Sequence, residues 1–401
     1  MVNSTTKNKK VYLDYAATTP VDPRVLKAML PYFSEKFGNS MSLHSFGWEA
    51  KKALEESRKI VANLIGAKPN EIIFTSSATE SNNLALKGIA FANKNRGKHI
   101  IISSIEHHCV LESAKWLQKQ GFEITYLSVD KYGFVNPKEV EKAIRKDTIL
   151  VSIIHASNEI GTIEPIEEIG EVIKRKSEEL NLKTKTYFHT DAAQSLGKIP
   201  VDVNQMNVDL LTASSHKMYG PKGVGCLFVR EGTKIEPLLH GGGQEFGLRS
   251  STVNVAGIVG FAKACEICKK EMQKEGEKLK KLRNKLIDGI LTKIPRSFLN
   301  GHPTKRLPNN TNFSFDFVEG ESMVIQLDLL GIAASTGSAC SSAKLEPSHV
   351  LLATGLTPQK AHGSLRLTLG RWTKESDINY LLKVLPGVVE NLRKISPFKE
   401  K

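Results

Sequence analysis

Five short runs carry the residue types that could do chemistry in this chain. In residues 214–223 (SSHKMYGPKG), Lys217 follows an apolar strand pattern and sits among hydroxyls, His216 and a Gly-Pro turn. An amine in such a small-residue loop suits a lysine that must shed its proton to form a Schiff base. Alone, it reads first as an exposed loop lysine in a chain full of them. In residues 187–195 (YFHTDAAQS), Asp191 stands just past a buried strand pattern, where ligand sites of α/β sheets lie. A carboxylate there can hold a heteroaromatic nitrogen protonated, which turns the ring into an electron sink; it can also simply cap the following turn. Residues 74–83 (FTSSATESNN) end a strand in hydroxyls that open a helix. Free amides at a helix start bind phosphate, and Ser77 or Thr79 would serve as the N-cap of the same helix.

The fourth run, 106–109 (EHHC), follows a strand ending at Ser103. Adjacent residues rarely chelate one ion, so stacking on a planar ligand or proton transfer suits this histidine better than a metal. Cys265 and Cys268 match C-x-x-C but fall within a helical pattern with no second pair. No metal site is expected. The fifth run, 335–348 (STGSACSSAKLEPS), sets Cys340 among small residues that can pack almost nothing. A mobile, accessible thiol is the inference, its reactivity depending on a lowered pKa.

These runs need elements to position them. Residues 71–75, 99–103, 123–128, 148–154, 186–190, 208–213 and 224–229 are short and rich in Ile, Val, Thr, Tyr and Phe, as strands are. Helical patterns over 78–95, 110–120 and 137–146 separate the early ones. Alternating βαβ units predict a mainly parallel sheet covered on both faces. Residues 48–65 and 253–294 read as further helices, the second with Gly276 as a break. Residues 310–317, 322–330, 363–369 and 374–394 read as strand, helix, strand and helix of a smaller α+β unit, with the boundary near residue 260.

The chain has 401 residues, 40% of them hydrophobic, enough for a substantial core without staples. No run approaches the ~20 apolar residues of a membrane span, and the first ten residues lack a secretory h-region, so a cytoplasmic location is the default expectation. Five cysteines, an odd and sparse number, read as free thiols in a reducing compartment. The formal charge of +14 comes from lysines scattered along helices and is read as a solvated surface, with nucleic acid not expected as a partner.

The five runs together with residues 241–252 (GGGQEFGLRSST) and 12–20 (YLDYAATTP) closely resemble the signatures of the pyridoxal-phosphate-dependent cysteine desulfurases. The resemblance is to the nitrogen-fixation and iron–sulfur-assembly type with a long cysteine loop, and it runs from Tyr12 to Arg371. It implies fold type I: a large domain (16–260) with a seven-stranded sheet, and a small α+β domain (1–15 and 261–401) carrying the cysteine loop at about 333–346. It also implies a homodimer. By position, Lys217 would carry the Schiff base, Asp191 would pair with the pyridinium nitrogen and Gln194 with the phenolic oxygen. His107 would stack over the ring and move protons. Ala78, Thr79, Ser214 and His216 would hold the phosphate, joined by Thr252 from the other subunit. Asn158 and Arg366 would bind the substrate carboxylate.

The implied reaction converts L-cysteine to L-alanine, its sulfur passing to Cys340 as a persulfide and then to an acceptor protein for iron–sulfur clusters or tRNA thiolation. A selenocysteine lyase or a class V aminotransferase would use much of the same set. Two positions depart from the pattern: Ser77 replaces a glycine, which would be strained if φ there were positive, and Ser40 replaces a proline.

Overall fold

The computed structural model describes residues 10–180, 185–337 and 346–397. Its centre is a seven-stranded sheet in the spatial order Ile72–Thr75, Gly225–Val229, Leu210–Ser214, Tyr187–Asp191, Thr148–Ser152, His99–Ser103, Glu123–Leu127. Gly225–Val229 runs antiparallel to both neighbours and the remaining pairings are parallel. The sheet is therefore mainly parallel, as the alternating pattern predicts. Six of the strands are buried along their whole length, whereas Glu123–Leu127, at the edge, alternates exposed and buried positions.

Successive strand residues point to opposite faces, and the isoleucine-rich strands use this to feed two cores. Ile100 and Ile102 face helices Ala78–Asn93 and His108–Lys119, while Ile101 packs with Ser45–Ile65, Ile166–Glu179 and the start of the long helix Val255–Lys293. Both faces are thereby covered. A third core lies under the antiparallel sheet Ser364–Thr368, Asn310–Phe315, Ser297–Leu299, roofed by Gly320–Leu329 and Glu375–Ile395. No helix among the described residues is long and apolar enough to cross a membrane.

Val255–Lys293 joins the cores. Phe261, Cys265 and Cys268 pack under the large sheet, and Leu279, Leu286 and Ile290 pack in the smaller core. The break expected at Gly276 does not occur, because the helix is continuous across it. A single glycine costs a helix about 1 kcal/mol, and buried contacts on both sides outweigh that.

One buried ion pair fixes the 241–252 segment. The Arg58 guanidinium binds both Glu245 carboxylate oxygens at 2.7 and 2.9 Å and the Ile72 carbonyl at 2.6 Å, and Phe74 N–H donates to Glu245 at 3.0 Å. Phe74 and Phe246 flank the cation at 4.9 and 4.8 Å. Both ion-pair side chains are only 2% exposed, so removing one partner strands a buried charge. Glu245→Ala should lower the unfolding free energy by about 3–5 kcal/mol, read from the urea midpoint. A loss below about 1 kcal/mol, the range of a surface pair, would refute that role.

Candidate active site

Four parallel strands deliver their carboxyl ends to one side of the sheet, and a cavity of about 270 Å³ opens there, close to the lower end of ordinary ligand pockets, about 300 Å³. Lys217, Asp191, Gln194, His107, Ala78, Thr79, Ser214, His216, Asn158 and Arg366 all line it. These residues are spread over nearly 290 positions of the chain. Two expected site residues are not among them. Thr252, assigned to the other subunit's site, is exposed and lies outside the cavity of its own chain. Cys340 lies outside the described residues, while Gly337, three positions before it, lines the cavity.

Lys217 ends a short 3-10 turn, Ser215–Lys217, directly after strand Leu210–Ser214. Its Nζ donates to the carbonyls of Ala16 and Ala17 at 2.6 and 2.7 Å, and Gln194 Nε2 donates to the same Ala16 carbonyl at 3.0 Å. The YLDYAATTP run thus supplies acceptors for the amine, a role its sequence does not advertise. His216 is turned to Thr18 Oγ1 at 3.1 Å, and burial, with Lys217 beside it, pushes its pKa down to about 4.

Asp191 ends strand Tyr187–Asp191. Its Oδ1 accepts from Ala193 N–H at 2.9 Å and its Oδ2 from Asn82 Nδ2 at 2.7 Å. It therefore caps the turn and faces the cavity at once. Ser77 has an extended backbone (φ −172°), and its hydroxyl accepts from Glu80 N–H at 3.1 Å. The strain considered for this position is absent, and Ser77 rather than Thr79 caps helix Ala78–Asn93. Among the described residues, nothing takes the amides of Ala78 and Thr79, so the positive end of that helix is open toward the cavity. Arg249 reaches the same helix start, binding Glu80 at 2.8 Å.

Arg366 comes from the small sheet, where it is registered against Asn312. It binds Asp14 at 2.8 Å and the Asn158 carbonyl at 3.0 Å, and its buried Nε has no partner among the described residues. Asn158 sits in a turn closed by Gly161, where φ is +77° and a Cβ would come within 2.5 Å of Asn310. Only glycine meets both demands, and that turn brings Asn158 to the arginine.

His107 caps helix His108–Lys119. Burial lowers its pKa, the Asp191 charge works in the opposite direction, and Lys217 adds to the lowering. Three residues past the end of strand His99–Ser103 lies Glu106, fully buried, accepting from Ser103 and Ile154 at 2.6 and 2.7 Å; burial raises it to about 8. The sequence reading assigned no part to His108 and His349, which also line the cavity with ring centroids 4.7 Å apart. The EHHC run hinted at the first, and nothing local marked the second.

The donor set suits a phosphorylated, amine-reactive heteroaromatic group. Unclaimed helix amides, Ser214 and the neutral His216 are phosphate partners; a buried carboxylate is a ring-nitrogen partner; one lysine supplies the amine. Arg366, at the cavity wall, is a cation suited to a substrate carboxylate.

Residues 11–381 match the family described as Aminotransferase class-V. The chain is 56% identical over 392 residues to the cysteine desulfurase IscS of Dictyoglomus turgidum, covering 98% of each chain. It superposes on a solved NifS-like protein with a TM-score of 0.89 and 40% identity, over 96% of this chain and 100% of that one. A structure of SspA in complex with cysteine aligns with a TM-score of 0.79 and 39% identity, over 90% and 99% of the two chains.

Proposed function

Because the chain belongs to the aminotransferase class-V family and to its cysteine desulfurases, we propose that its cavity converts L-cysteine to L-alanine and passes the sulfur to Cys340. The observation that carries this reading is the meeting of Lys217, Asp191, His107 and Arg366 in one cavity whose wall includes Gly337. We take pyridoxal phosphate as the cofactor, which when bound would supply an amine-reactive aldehyde and an electron-accepting ring. The Ala78 and Thr79 amides, Ser214 and His216 would hold its phosphate. Asp191 would accept from the ring N–H, and Gln194 would serve the phenolic oxygen. His107 would stack on the ring.

Arg366 and Asn158 orient the substrate carboxylate. Lys217, released from the carbonyls of Ala16 and Ala17, removes the proton at the substrate α-carbon. Cys340 then takes the sulfur: its S–S bond forms as the substrate C–S bond breaks, so cysteine plus thiol yields alanine plus persulfide with no external oxidant. Gly337 bounds the geometry, since three residues of chain reach at most about 11 Å. The persulfide then moves to the thiol of an acceptor protein serving iron–sulfur cluster assembly or tRNA thiolation.

The enzyme acts as a homodimer in this reading. Phe33, Phe37, Leu43 and Trp48, between 62% and 91% exposed, make an apolar stretch suited to a second copy, and Thr252 would serve the partner's phosphate site. Cys109, Cys226, Cys265 and Cys268 are free thiols, which suits a reducing, cytoplasmic setting.

Purified holoenzyme given L-cysteine and dithiothreitol should form alanine and sulfide in equal amounts. Amino transfer to pyruvate without sulfide would replace this reading by an aminotransferase.

A further inference from the structure

Asn82 lies behind Asp191, and Cys109, itself at the cavity wall, lies between Asn82 and His107. Asn82 is fully buried, and its Nδ2 donates both to Asp191 Oδ2 at 2.7 Å and to Cys109 Sγ at 3.0 Å. Its own Oδ1 is buried without a donor among the described residues. Turning the amide over would aim that carbonyl at the carboxylate, so the side chain leaves one acceptor unsatisfied in order to donate twice. Cys109 continues the line. Its backbone N–H donates to His107 Nδ1 at 3.2 Å, and its Sγ lies 3.0 Å from the same nitrogen. Burial pushes this thiol up to about 12, so it stays protonated and its S–H is available to Nδ1. Two donors converge on that nitrogen, and a proton placed there would face N–H and S–H together.

We propose that Asn82 and Cys109 are positioning residues that tie Asp191 to His107 through one hydrogen-bonded line, keeping His107 neutral with its proton on Nε2. The inference rests on the reading that Asp191 and His107 face the cofactor. Asp191 pulls His107 toward protonation; Lys217, His108 and His349, the other titratable groups facing it, oppose this. The line from Asn82 adds to the opposition while using Asp191 as its anchor. His107 thereby offers an N–H rather than a full positive charge to the cavity.

The test follows 15N-labelled histidine rings by NMR against pH, in the cofactor-free chain and in holoenzyme. His107 should show the Nε2–H form through neutral pH. Cys109→Ala should raise its titration midpoint by about one pH unit, the worth of one hydrogen bond, and Cys109→Ser should restore it. Asn82→Leu, close in size, should shift it the same way by less. Unmoved midpoint and tautomer in Cys109→Ala, with only a lower melting temperature, would reduce Cys109 to a space-filler and overturn the inference. A shift with Cys109→Ala and none with Asn82→Leu would remove Asn82 from the line and overturn it as stated. A shift in the cofactor-free chain that leaves the pH profile of kcat unmoved would uphold the hydrogen-bonded line and discard His107's part in the reaction.

Discussion

Lys217→Ala should yield a folded chain with no covalently attached cofactor after borohydride reduction and with alanine formation lowered by at least roughly 10²–10⁴-fold. Lys217 is the one lysine lining the cavity among the described residues; the neighbouring Lys198 is buried outside that lining and donates to the Gln194 carbonyl at 2.7 Å. On the proposed reading, removing Lys217 takes away both the attachment point and the base at the substrate α-carbon. The fold should tolerate the change. The partners given up are carbonyls of Ala16 and Ala17, and Gln194 still holds Ala16. Peptide mapping of the reduced holoenzyme should find the cofactor on the peptide containing 217. Attachment at another lysine, or a rate within tenfold of wild type, would remove Lys217 from its assigned place.

Cys340→Ser separates the two halves of the reaction. The variant should bind the cofactor and respond spectrally to L-cysteine, yet release no sulfide under reductant and carry no persulfide. The other thiols offer no substitute. Cys226, Cys265 and Cys268 are buried. Cys109 lines the cavity but is held up at about 12, leaving on the order of 10⁻⁴ of it as thiolate at pH 8. Turnover above about a tenth of wild type would show that sulfur reaches another acceptor; testing Cys340→Ser/Cys109→Ala would then decide whether it is the cavity thiol. The rate threshold corresponds to about 1.4 kcal/mol of barrier.

Local pattern was enough for the elements that carry the site. The strand runs at 99–103 and 224–229 lie within a residue of their strands, and the helix opening after Ser77 is capped by that serine. Such features depend on neighbours within a turn or a strand's length, so alternation, apolar runs and capping side chains reveal them. The same logic misjudged Gly276, because its helix is held by two cores that come from distant parts of the chain.

The sequence alone established the sheet-forming runs, the hydroxyl-rich helix start, the lysine and aspartate after their strands, and the resemblance that unites them. Tertiary structure decided the rest. It inserted Gly225–Val229 between Ile72–Thr75 and Leu210–Ser214, brought Ala16 and Ala17 to Lys217 across about 200 positions, and set Asp14 against Arg366 across 352. It also lined Asn82 and Cys109 up between Asp191 and His107. Propensity acts through covalent neighbours, whereas these contacts exist only after strand order and helix packing have closed the intervening chain.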